Sequence, residues 1–491
     1  MKAGLARWLK RAGILAAIVV VTLFVGRIVE TQRGPPLRVW HTYVPEELTV
    51  DELERTDWAG YMKAEATLFD RLGAELKREL EPEDRIPGNR YFDGSPIYPA
   101  RFKQDWNRSY VLEPDGPPLG AVVFLHGLTD SPYSLRHIAR LYRAAGWVSV
   151  APRLPAHGTV PAALSTVHWE EWVAATRLAV REARRLAGPS VPIHLVGFSN
   201  GGALAMMYAL DALGDKSLAR PERIILISPM IGITSAAQFA GLAGLPAMLP
   251  RFAKAAWLSN MPEFNPFKYN SFPINGATQS HRLTRVLQSR IARYEREGKL
   301  GEIAPVLTFQ SVLDFTVHTR AIIDALYAHL PRNGSELVLF DLNRTALLSP
   351  LLRSSMDTIV EHMLPNPPRN YRLTLVTNGG PDNREEVARV TEAGQTTSTV
   401  RPLGLSYPPD VFSLSHVALP FPPWDALYGM APDGKEDYGI ALGTMAGRGE
   451  RGALIVSLDA LLRVSSNPFF DYAMERIDEG IVPRRPVPAP Q

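Results

Sequence analysis

From residue 118 onward the chain alternates two hydrophobic patterns. Ala121-Val122-Val123-Phe124-Leu125 is uninterrupted apolar sequence ending in His126-Gly127, as expected of a strand covered on both faces. Leu135, Ile138, Ala139 and Tyr142 then recur at three- and four-residue spacing, with Ser131-Pro132 opening a helix and Gly146 closing it. The alternation continues: strands over 147–150, 193–198 and 224–227, a helix marked by Trp169, Trp172, Val173, Val180 and Ala183, and another over 203–213. Strands alternating with helices predict an α/β fold, a mostly parallel, doubly wound sheet. Upstream, 61–80 reads as an amphipathic helix, and 101–112 holds a strand or two. Downstream come strands over 305–310 and 338–340, with a helix over 317–329 after the first. Phe239, Leu242, Leu245, Met248, Phe252 and Trp257 recur at roughly helical spacing and predict a helical cap over the carboxyl edge of the sheet.

The amino terminus follows a different pattern. Lys2, Arg7, Lys10 and Arg11 precede an uncharged run, AGILAAIVVVTLFVG, that Arg27 closes. As a helix this run is roughly 22 Å long, against about 30 Å of hydrocarbon. Snorkelling by the flanking Lys and Arg makes up the difference. The reading is an uncleaved signal anchor in 1–33, with the body of the chain on the non-cytoplasmic side, periplasmic in a bacterium. A cleaved signal peptide is the rival, for which Phe24-Val25-Gly26-Arg27 offers a poor site.

Composition narrows the class. The chain is 46% hydrophobic and 21% charged, which excludes disordered and coiled-coil proteins. Lys and Arg total 53 against 50 Asp and Glu, a net charge of +3, too even for a dedicated nucleic-acid binder. With no cysteine, thiol nucleophiles and zinc–thiolate sites are impossible. No metalloprotease, P-loop or dinucleotide fingerprint is present, so no metal or cofactor is expected.

The chemistry centres on Gly197-Phe198-Ser199-Asn200-Gly201. A G-x-S-x-G pentapeptide is weak alone, but here an apolar strand precedes it and an apolar helix follows. That context is the sharp strand-to-helix turn that exposes a serine hydroxyl. Serine is a poor nucleophile without a base and an orienting carboxylate, which in this arrangement come later in the chain. Asp314 follows the strand at 305–310 and is preferred to Asp341, which follows the strand at 338–340. His416, after a Pro-rich loop late in the chain, is the base. His362 decorates a helix, while His318 and His329 read as surface or packing residues. Oxyanion donors are expected from the backbone of Asn200 and of Leu128, in the loop after His126-Gly127. His126 itself reads as loop-shaping, and Pro155-Ala156-His157-Gly158 as a loop rim.

In this order VVFLHGLTDSPYS, RLPAHGTVPAAL, VGFSNGG, QSVLDFTV and LSHVALP resemble the α/β-hydrolase superfamily of serine esterases and lipases, particularly its monoacylglycerol-lipase and bacterial-carboxylesterase branch. The resemblance implies Ser199 as nucleophile, Asp314 as acid, His416 as base, and Leu128 and Asn200 as oxyanion-hole donors. It implies a carboxylic-ester hydrolase acting on a small-molecule or lipid-like ester. An acyltransferase or amidase using the same triad remains open, as does a non-catalytic hydrolase-fold binding protein. The expected division is an anchor and linker at 1–33, an extension at 34–117, core at 118–230 and 304–482, a cap at 231–303, an insertion at about 342–409, and a Pro-rich tail at 483–491. Nothing in the sequence fixes the oligomeric state.

Overall fold

The apolar runs become the strands of one ten-stranded sheet in a computed structural model that describes residues 2–232, 244–356, 358–380, 383–445 and 461–483. Its strands are β1 Tyr110–Leu112, β2 Ala121–Leu125, β3 Val148–Ala151, β4 Ile193–Phe198, β5 Arg223–Ile227, β6 Val306–Ser311, β7 Glu336–Phe340, β8 Arg372–Gly380, β9 Asn383–Thr391 and β10 Ser398–Ser406. They lie in the order β1-β3-β2-β4-β5-β6-β7-β8-β9-β10. Every pairing from β3 through β8 is parallel, while β1 and the β8–β10 meander pair antiparallel. The mostly parallel α/β sheet expected from the sequence is present. The insertion does not stand apart from it, because its three strands extend the sheet.

The labelled helices are α1 Lys2–Arg33, α2 Trp58–Glu79, α3 Arg136–Ala144, α4 Trp169–Ala187, α5 Asn200–Gly214, α6 Ile274–Arg296 and α7 Phe470–Asp478. Alternate side chains of β2 show how they form two layers. Val123 and Leu125 pack with α4, α5 and α6, whereas Val122 and Phe124 pack with α3 and α7. Burial of side chains this size contributes about 1.5–3 kcal/mol each, which makes these two layers the main source of stability. Ser131 opens a short 3-10 turn before α3, but its hydroxyl makes no capping bond.

The extension is fastened to the core by charge. Arg153, in the loop after β3, donates to Glu65 of α2 at 3.1 Å and to both Glu47 oxygens at 2.8 Å. Trp58, Tyr61, Leu68, Leu72 and Leu76 form the buried stripe of α2 that the apolar spacing predicts.

Two expectations need adjusting. The amino terminus does form a helix, α1, yet among the described residues no helix is long and apolar enough to cross a membrane. The uncharged run is short and lies between Arg11 and Arg27, so the expected span is unsupported. In the segment read as a cap, Phe239 and Leu242 lie outside the described residues. Trp257 is buried and pairs, in a small ribbon Trp257–Ser259, with Phe272–Pro273. Leu245–Met248 and Pro250–Ala256 form 3-10 turns, and the long helix of the segment is α6, whose Leu283, Leu287 and Ile291 are core residues packed beside α5.

Candidate active site

The strand order reverses between β2 and β4: β3 lies on one side of β2, and β4 on the other. In open parallel sheets, ligands bind at the carboxyl ends of the strands flanking such a switch point. The ends of β2 and β4 carry His126-Gly127-Leu128 and Ser199.

Ser199 has φ 54° and ψ −117°, a conformation that costs energy for any residue with a Cβ. The turn is held by Ser199 N–H donating to Ile227 O at 3.0 Å and by Met230 N–H donating to Ser199 O at 2.8 Å. The glycines of the pentapeptide have steric causes. A Cβ on Gly201 would collide with the carbonyl of Leu125, and one on Gly197 with that of Gly201. Helix α5 can therefore start directly against β2 and β4 only where side chains are missing.

Asp314 lies in the turn after β6. It accepts from the N–H groups of Thr316 and Val317 at 2.8 and 2.9 Å, and from Gln310 Nε2 at 3.2 Å. His416 Nδ1 donates to its Oδ2 at 2.8 Å. Burial would push the Asp314 carboxyl up, but the charge and hydrogen bond of His416, with the two backbone donors, hold it below the ordinary value. The His416 ring lies against Phe198, the residue before Ser199, with centroids 5.2 Å apart. Ser199, Asp314 and His416 are each about 5% exposed or less. Among the described residues neither Ser199 Oγ nor His416 Nε2 has a hydrogen-bond partner, and unliganded sites commonly close such bonds only around substrate.

Asp341 is placed elsewhere. It accepts from Thr377 Oγ1 and its neighbour Leu342 N–H, both at 2.8 Å, and takes no part in the His416 contact. His362 and His318 are exposed, and His329 bonds Glu295 at 2.7 Å. His126 is clamped on both nitrogens: Nδ1–H donates to Gly127 O at 2.9 Å, and Nε2 accepts Leu154 N–H at 3.0 Å. Burial first, then His157, drives its pKa far down, so it is neutral and fixes the loop.

Leu128 lies in a turn in which Gly127 N–H donates to Asp130 Oδ2 at 3.3 Å and Asp130 N–H to Gly127 O at 3.4 Å. Asn200 is the first residue of α5, so its N–H has no intrahelical acceptor. Its carboxamide oxygen accepts from Ser280 of α6 at 2.8 Å, which locks the residue in place.

Sequence reading missed three supports. Gln310 and Thr319 bridge the acid loop, with Thr319 Oγ1 donating to Ser311 O at 2.7 Å. Ser311 Oγ donates to Leu414 O at 2.7 Å, tying the histidine loop to the acid strand. No local pattern announces such contacts between distant segments.

Among known families, the Alpha/beta hydrolase family matches residues 122–296. A curated relative, the thermostable monoacylglycerol lipase of Bacillus sp. (strain H-257), is 27% identical over 205 residues, covering 41% of this chain and 72% of its own. A metagenome-derived lipolytic enzyme structure is 20% identical, covers 52% of this chain and 98% of its own, and has a TM-score of 0.38. The monoacylglycerol lipase of Paleococcus ferrophilus is 17% identical over 52% of this chain and 99% of its own, with a TM-score of 0.35. These two structures add nothing to the strand order. The family match, with that order, upholds the resemblance read from the sequence.

Proposed function

We propose, starting from an α/β hydrolase similar to esterases and lipases, that this chain cleaves carboxylic esters through an acyl-enzyme on Ser199. The observation that carries this reading is the buried Asp314–His416 hydrogen bond of 2.8 Å beside a strained serine at the switch point of the sheet.

Asp314 fixes the tautomer with the proton on Nδ1, leaving the Nε2 lone pair as base. His416 takes the Ser199 proton as Oγ attacks the ester carbonyl, and the oxyanion that forms is met by the N–H groups of Leu128 and Asn200. The imidazolium then protonates the leaving alcohol as the C–O bond breaks. Water, deprotonated by the same nitrogen, releases the acid and restores the serine. No cofactor is needed for any step.

Lipid-like esters, acylglycerols among them, are the favoured substrate class, supported by the name of the curated Bacillus relative. Attachment to a membrane through α1 is part of this proposal. Ile14, Leu15, Ile18 and Val19 of that helix are exposed, next to the cations Lys10 and Arg11. Carbonate extraction of membranes would retain the full chain and release one that lacks residues 1–33.

Labelling by a fluorophosphonate, followed by turnover of p-nitrophenyl esters of increasing chain length, tests the reaction. Loss of both in Ser199→Ala is expected. Equal labelling of that variant would sink the assignment.

A further inference from the structure

The loop from Met261 to Ser271 wedges between the extension and the core. Phe264, Asn265, Phe267 and Tyr269 are buried in it, and Phe267 stacks on Tyr133 with centroids 4.3 Å apart. Lys268, between two buried aromatics, is partly exposed. Its position relative to the site is fixed by its neighbour, because Tyr269 N–H donates to Thr129 O at 2.8 Å. Thr129 adjoins Leu128, so Lys268 stands beside the oxyanion turn.

A second cation, the exposed Arg463, stands at the loops that carry Asp314 and His416. Arg463 Nη2 donates to Thr316 Oγ1 at 2.6 Å, two residues beyond Asp314. Its carbonyl accepts from Ser415 Oγ at 2.7 Å, one residue before His416. Arg463 therefore touches both the acid loop and the histidine loop. The two cations sense each other, since Arg463 adds to the burial that lowers the Lys268 pKa, while Asp130 opposes it. Among the described residues neither makes an ion pair. Asp130, the carboxylate that Lys268 senses, is occupied by Ser134 Oγ at 2.7 Å and by Gly127 N–H at 3.3 Å.

A partly desolvated ammonium beside the Leu128 turn and a guanidinium at the Asp314 and His416 loops, neither held in an ion pair among the described residues, make an electrostatic site for an anion. We propose that Lys268 and Arg463 recognise a negatively charged group, a carboxylate or phosphate, borne by the ester that Ser199 cleaves. This rests on the hydrolase reading and narrows its substrate class to anionic esters. The charge can belong to the acyl half or to the alcohol half.

The test uses three esters on the full chain: p-nitrophenyl butyrate as neutral reference, mono-p-nitrophenyl succinate with the charge on the acyl side, and the butyrate ester of 4-hydroxy-3-nitrobenzoate with it on the alcohol side. At low salt one charged ester should exceed the neutral one at least tenfold in kcat/KM, through KM. The advantage should shrink in 0.5 M NaCl, where screening acts over about 4 Å. Which arm gains identifies the half that carries the anion. In Lys268→Met and Arg463→Gln the charged-to-neutral ratio should fall at least fivefold, with thermal unfolding confirming that each variant is folded. Hydrolysis of the neutral ester with no gain for either charged ester would overturn the anion subsite and leave the hydrolase standing. A gain that both substitutions leave intact would also overturn it. Failure of all three esters together with absent fluorophosphonate labelling would remove the hydrolase reading, and the subsite with it.

Discussion

Among the described residues, two buried Asp–His pairs have nearly the same length, one made through the histidine Nδ1 and the other through Nε2. Asp314 accepts from His416 at 2.8 Å, and Asp425 from His137 at 2.9 Å. Their surroundings differ. Asp425 is also bonded by Arg136 at 2.8 Å, by Tyr133 Oη at 2.9 Å and by the N–H groups of Leu427 and Tyr428. Its negative charge is already matched by a guanidinium. His137 packs edge-on against Trp424, and its pKa is pushed down to about 4, first by burial and then by Arg136. At Asp314 the polar partners besides His416 are neutral donors, so the carboxylate charge remains available to an imidazolium. A hydrogen bond between Asp and His is thus insufficient evidence of a catalytic pair. The carboxylate must be free of a competing cation, and the far nitrogen must face a nucleophile.

Substitutions that act on one pair and spare the other sharpen this contrast. Ser199→Ala should have the largest effect, a loss of ester turnover on the order of a millionfold with thermal unfolding unchanged. Asp314→Asn should follow, with kcat reduced by roughly 10⁴ because the imidazole is held in the wrong tautomer, again with little change in stability. Asp425→Asn should reverse that signature. It leaves Arg136 with the half-buried Glu436, at 3.0 Å, as its remaining carboxylate and should cost about 2–3 kcal/mol, read by chemical denaturation, while the folded fraction keeps most of its kcat. Equal loss of kcat in the Asp314 and Asp425 variants at unchanged stability would erase the distinction drawn here.

The pH dependence of stability extends the comparison. His137 is neutral when folded and regains its ordinary pKa near 6.5 when unfolded, so between pH 6.5 and about 4 the unfolded chain binds the extra proton. Stability should therefore fall as pH falls through that window, by about 3 kcal/mol at most from this residue, and level off below it. Asp425 acts lower, because its depressed pKa contributes stability above the usual carboxylate range that is lost only in stronger acid. His137→Asn should flatten the higher window in a urea-denaturation series, and an unchanged slope would contradict the assignment. The smallest effect belongs to Asp341→Asn, expected within about twofold of wild-type turnover, since that carboxylate serves Thr377 and its own turn.

Legibility in the sequence divides along physical lines. Strands β2 to β7 and helices α3 to α5 were readable because each buries a face whose periodicity is local. The elbow was readable because its glycines answer to steric needs within five residues. The β8–β10 meander was not. All but two residues of β10, Leu403 and Leu405, are exposed, so its strand character comes from pairing with β9. Lys268 and the Asp425 network were equally silent. Arg136 and Asp425 are 289 residues apart, and nothing local to either records the other.

The Ser311–Leu414 bond also bears on how this chain tolerates change. The chain leaves β6 after Asp314 and comes back to it at His416, 102 positions on, and at the far side Tyr407 Oη donates to Asp341 O at 2.8 Å. Topologically the meander is a closed excursion pinned at its neck. Lengthening such a loop is cheap, since each doubling costs only about 0.6 kcal/mol of closure entropy. Loops beyond the neck can be lengthened or exchanged while Asp314 and His416 keep their spacing, which makes this stretch a place where the chain can acquire new surface without disturbing that pair.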